Sequence, residues 1–128
     1  MGQIALLITS FLFGGMTLFA VGFGPIVLKN LEGNVARVFI RITFPHFYLF
    51  VLVISLLAAV AVFVFSPLAS MALLAIFFST IPARQILMPA INAATDKGDQ
   101  KKFKILHALS VVITLAHIVI AGTVLCVL

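Results

Sequence analysis

Four long apolar stretches account for nearly all of the chain, set apart by two short polar loops and one tight turn. The first runs from about residue 4 to 28, and its polar positions are small: Thr9, Ser10, Thr17 and several glycines. A polar loop, 29–34, leads into a second stretch over about 35–65, in which Val51 to Phe65 holds one polar residue, Ser55. The pair Ser66-Pro67 predicts a helix start, with serine as the cap and proline in the first turn. A third stretch covers about 67–94 and contains Pro82 and Pro89; the loop 95–102 precedes a fourth over about 103–128. Each exceeds the roughly 20 residues that cross a bilayer as a helix. The second is long enough that it must tilt or protrude.

Backbone amides in hydrocarbon have no water to bond, so each span must be helical. The pattern therefore predicts an all-α integral membrane protein: one domain, residues 1–128, folded as a four-helix up-down-up-down bundle. The two prolines of the third span each remove a helical hydrogen bond, which predicts a kink or break between Thr80 and Pro89. A helix-loop-helix unit repeated twice is conceivable, although the halves share no clear residue-level similarity.

Composition narrows the class. The 128 residues are 64% hydrophobic and 9% charged, against about half and about a quarter in soluble domains, and the mean hydropathy is +1.35. Soluble, disordered and disulfide-scaffold classes are excluded. Eight Lys and Arg against three Asp and Glu leave a net charge of +5. Every charged side chain lies in Lys29–Arg41 or Arg84–Lys104, regions on one side of a four-span protein. The positive-inside rule makes that side the cytoplasm, with both termini outside, and accounts for the basic excess without nucleic acid. Met1 to Gly24 carries no Lys or Arg, so it reads as a retained first helix rather than a signal peptide. A bacterial inner membrane is the expected location.

Candidate chemistry is sparse. The acids Glu32, Asp96 and Asp99 all lie in loops, leaving no intramembrane carboxylate for a proton relay and no acid for a buried triad. The single Cys126 cannot form an internal disulfide, and no metal ligand set is assigned. On span four, His107, Ser110, Thr114 and His117 share an arc of roughly 80°. This polar stripe reads either as a packing seam, with His107 facing the interior and bonding across helices, or as a ligand face. For the latter, His46 or His117 would join His107 at a heme or metal. At 1.5 Å per residue, His46, His107 and His117 lie about 13, 5 and 20 Å from the inner boundary, so neither pairing is level. Arg41 and Arg84 snorkel toward the headgroups, or Arg84 binds carbonyls freed by Pro82 and Pro89, an anionic lipid or a substrate. Gly14 and Gly15 read as close-packing positions, as small residues let helices approach.

Several features occur together: Gly14-Gly15-Met16; Gly24-Pro25-Ile26-Val27-Leu28; Arg37, then Phe44-Pro45-His46-Phe47-Tyr48; Pro89-Ala90-Ile91-Asn92; and Phe103-Lys104-Ile105-Leu106-His107-Ala108-Leu109-Ser110. This order resembles the transmembrane-protein-205-like family of small four-helix membrane proteins, over about Ala5 to Leu125. The resemblance implies structural importance for Gly14, Pro25, Pro45, His107 and Ser110. It implies no established reaction, while the drug and metal tolerance linked to animal relatives points toward transport. Three functions follow as expectations. The first is a non-enzymatic accessory subunit, with no cofactor, that binds the lipid bilayer and other membrane protein subunits. The second is a heme or metal protein, and the third a small oligomeric transporter. The expected topology is checked by reporter fusions: a cytoplasm-active reporter works after Gly98 and fails after Leu128, and the reverse result overturns the orientation.

Overall fold

The structure is a computed structural model that describes residues 2–128. Six α-helices and two π-helical segments make four continuous rods. Rod one comprises α1 (Gln3–Thr17), a π segment (Leu18–Phe23) and α2 (Gly24–Asn30); rod two is α3 (Gly33–Phe63). Rod three comprises α4 (Pro67–Pro82), a second π segment (Ala83–Leu87) and α5 (Met88–Asp96); rod four is α6 (Gln100–Val127). The rods hold 28, 31, 30 and 28 residues. At 1.5 Å per residue each is about 42–47 Å long, and all four are long and apolar enough to cross a membrane. Their bounds differ from the expected spans by three residues or fewer.

The ends obey local chemistry. Ser66 caps α4, its Oγ accepting the Ala69 N–H at 3.2 Å, with Pro67 in the first turn. Asp99 caps α6 by accepting the Lys102 N–H at 3.1 Å. Between α5 and α6 the chain reverses through Gly98 at φ +68°. There the Asp99 N–H bonds the Ala94 carbonyl at 3.0 Å and the Gly98 N–H bonds Thr95 at 3.2 Å, the two bonds of a Schellman ending.

The expected break in the third span is the π segment Ala83–Leu87. Pro89 has no N–H for the Gln85 carbonyl, and in this stretch the bonding register shifts by one, so that the Met88 N–H reaches Ala83. Rod one has the same device, unanticipated from sequence. Pro25 has no N–H for Val21, and the Gly24 N–H reaches Phe19. Pro45 and Pro82 sit within α3 and α4 without a π segment. A repeat invisible at residue level is thus present in the backbone: an interrupted rod followed by an unbroken one, twice.

The rods form a ring. Packing runs α1 to α3, α3 to α4, α4 and α5 to α6, and α6 back to α1. The contact is densest between α3 and α4, where small residues allow close approach: Ala58, Ala59 and Ser55 are buried on α3, and Ser70 Oγ of α4 donates to the Ala59 carbonyl at 2.7 Å. Leu12, Met16, Val51, Val62, Leu73 and Ile76 fill the centre.

Only one member of the glycine pair packs. A Cβ on Gly15 would fall 2.5 Å from the Phe50 ring, whereas one on Gly14 meets nothing within 4 Å. The close-packing reading of Gly14 is therefore corrected: at 100° per residue its neighbour takes the inward face, and Gly14 points outward. Overpacking predicts that Gly15→Leu lowers stability by about 1–3 kcal/mol. Gly14→Ala is expected to be neutral or to gain up to about 1 kcal/mol from helix propensity. Denaturation of the two variants in mixed micelles compares them directly.

Candidate functional site

At the end of the ring that carries the loops, the rods do not close. Past its π segment, α2 packs on α3 and has little contact with α6. The gap is a partly open cleft of about 790 Å³. Its walls are α2 (Gly24, Pro25, Leu28), the first half of α3, α5 (Met88, Ile91, Asn92) and the first half of α6 from Gln100 to Leu115. Both loops, through Leu31 and Gly33 and through Gly98 and Asp99, border it. The two short helices that follow the π segments therefore stand on the same cavity.

The lining is mainly apolar, with polar groups toward the loops. Phe19, from the first π segment, stacks on Phe47 with centroids 4.0 Å apart and packs edge-on against Phe44 at 5.3 Å. Tyr48 lines the deep end at 2% exposure and makes no hydrogen bond to another described residue. Nearer the loops, Arg41 Nη2 donates to Asp96 Oδ1 at 2.9 Å and to the Asn92 carbonyl at 3.0 Å. This exposed pair contributes about 0–1 kcal/mol to stability, but it fixes α3 against α5. Arg37 has only a long contact to Asn34 Oδ1 at 3.5 Å on its own helix, and Asp99, also on the rim, is occupied as a helix cap.

The polar stripe of α6 divides at the point where the bundle closes. His107, Ser110 and Thr114 line the cleft. Ser110 and Thr114 bond backward to their own helix, to the His107 carbonyl at 2.7 Å and the Ser110 carbonyl at 3.0 Å. His107 is exposed and stacks on Phe103, centroids 5.5 Å apart and planes 8° apart. The expectation that it faces a packed interior and bonds across helices is therefore corrected. The interhelical bond belongs to His117, buried at 6% exposure, whose Nε2 lies 2.8 Å from Ser79 Oγ of α4. Ser79 Oγ also bonds the Ala75 carbonyl of its own helix at 2.7 Å. Sequence reasoning passed over Ser79, one of several hydroxyls in the third span.

The remaining candidates scatter. His46 is exposed and bonds the Ile42 carbonyl of its own helix at 3.0 Å. His117 bonds Ser79 and His46 bonds its own helix, and neither lines the cleft with His107. Among the described residues, no three His, Cys, Asp or Glu side chains form a group able to hold a metal. Arg84, half-buried in the second π segment, points its Nε at the Pro45 carbonyl of α3, 3.4 Å away. This corrects the expectation of carbonyls freed by Pro82 and Pro89: the guanidinium stitches two rods rather than its own. Pro25 lines the cleft, while Pro45 and Pro89 act through the backbone.

Residues 7–100 match the family described as Domain of unknown function (DUF4149). The chain belongs to that family. The matched part takes in rods one to three and most of the cleft walls, and stops before the Phe103–Ser110 motif of rod four. No curated protein and no solved structure matches the chain. The expectation of a small domain family of unknown function stands at this coarser level.

The His117–Ser79 bond carries a prediction. A double-mutant cycle with His117→Ala and Ser79→Ala is expected to give a coupling of about 0.6–1.7 kcal/mol, the range for intramembrane hydrogen bonds. His107→Ala, outside the packed core, is expected to cost less than about 0.5 kcal/mol. Equal losses from the two histidine variants in micelle denaturation would contradict this assignment.

Proposed function

We propose that this DUF4149 member is a small non-enzymatic integral membrane protein that binds other membrane subunits. The distribution of its side chains carries this reading. The outer faces of the rods are clad in large apolar residues, among them Leu7, Val60, Phe78 and Val112 at 68, 68, 61 and 62% exposure. Polar side chains on the rods, such as Ser55, Thr80 and Ser110, instead bond to the helix backbone. Such a surface suits lipid and neighbouring helices rather than a reaction in water.

In this reading the rods run up-down-up-down, with loops 29–34 and 95–102 in the cytoplasm of a bacterium and both termini outside. The three-residue turn between α3 and α4, and the placing of both loops on one cleft, support that arrangement. The order of glycine, proline and histidine motifs supports a transmembrane-protein-205-like relationship. One observation favours a second reading, an oligomeric transporter. Interrupted helices at corresponding places in two halves mark binding sites in many transporters, and rods one and three are so interrupted.

Photo-cross-linking in native membranes tests the subunit reading. With the photoreactive residue placed in turn at Leu7, Val60, Phe78 and Val112, the expected result is a discrete protein adduct from one side of the bundle. Labelling of lipid alone at all four positions would overturn it.

A further inference from the structure

We propose that the cleft at the loop end is a binding site for one anionic membrane phospholipid, entering sideways between α2 and α6. The proposal rests on the membrane-spanning reading but not on the subunit reading.

Size admits this occupant. The cleft follows α6 from Gln100 to Leu115, a length of about 22 Å at 1.5 Å per residue. That is the depth of one leaflet, half of a bilayer about 40–45 Å thick with its headgroups. The cleft volume of 790 Å³ over that length gives a mean cross-section of about 35 Å². Alkyl chains in contact lie about 4 Å apart, so one or two chains fit.

Charge selects the headgroup. All of the net +5 lies in Lys29–Arg41 and Arg84–Lys104, and both loops border the cleft mouth. Arg41 is neutralised by Asp96, and Asp99, which keeps its charge while capping α6 through the Lys102 N–H, is, among the described residues, the one rim carboxylate that lines the cleft. Arg37, two turns or less into α3, is a cleft-lining guanidinium without an ion pair among the described residues. Its planar fork matches a phosphate. His107, about 10 Å further in along α6, presents a ring with no protein hydrogen bond to the level of the ester groups. Below it the Phe19, Phe44 and Phe47 cluster offers an apolar floor for the chains.

The test uses the purified full chain in neutral detergent, titrated with phosphatidylglycerol, phosphatidylcholine or inorganic phosphate, with thermal stability and native mass spectrometry as readouts. Phosphatidylglycerol is expected to bind saturably, one per chain, about fivefold or more tighter than phosphatidylcholine, the gain from one guanidinium. Inorganic phosphate alone gives no shift. Arg37→Gln removes the preference, Lys104→Gln, off the cleft, keeps it, and Val111→Trp, which fills the cleft, abolishes saturable binding of both lipids. Equal affinity for the two lipids, equal losses from Arg37→Gln and Lys104→Gln, or a shift by phosphate alone would each overturn the site. A chain released from membranes by carbonate without detergent would instead overturn the spanning reading beneath it.

Discussion

In the membrane-spanning reading, the obligation to satisfy every backbone carbonyl without water shapes this protein. In rods this apolar, a carbonyl deprived of its partner must find another within the helix. Pro25 and Pro89 each remove a donor, and in both places the backbone answers with a π turn rather than a break. The consequences lie downstream. A π turn inserts one residue per bulge and so changes which side chains of α2 and α5 face their neighbours. Both helices stand as walls of the same cleft.

Closure of the ring is correspondingly uneven. Toward the Ser66 turn, α3 and α4 meet through alanines and serines, with Ser70 bonding directly to the Ala59 carbonyl. Deep on α6, His117 joins Ser79. Toward the loops these close contacts give way to Arg41, Asp96 and Asn92, a longer and more exposed stitch. Short bonds to buried backbone hold helices at fixed separation, whereas extended arginine side chains can span a gap. The protein is therefore tight at one end and open at the other, with its charge gathered at the open end.

Much of this was legible in the chain itself. Four rods, their bounds, the Ser66 cap and the interruption between Pro82 and Pro89 follow from local rules: hydropathy, capping and the missing proline N–H. These depend on residues a few positions apart, so one sequence suffices to read them. Rod one shows the limit. Pro25 carried the same chemistry as Pro89, but near a span's end it resembled an ordinary terminus, and its π segment went unread.

The polar stripe on α6 shows what only tertiary structure decided. Its angular spacing placed His107, Ser110, Thr114 and His117 on one face. Spacing along a helix does not say what that face meets. Where α6 packs on α4, the stripe meets Ser79 and His117 becomes an interhelical bond. Where α2 makes little contact with α6, it borders the cleft, and His107 stacks on Phe103 instead. Gly14 and Gly15 part company for the same reason, since Phe50 of α3 approaches one and not the other. The sequence determined which residues share a face. The docking of neighbouring rods, set by contacts between positions far apart in the chain, determined what each face does.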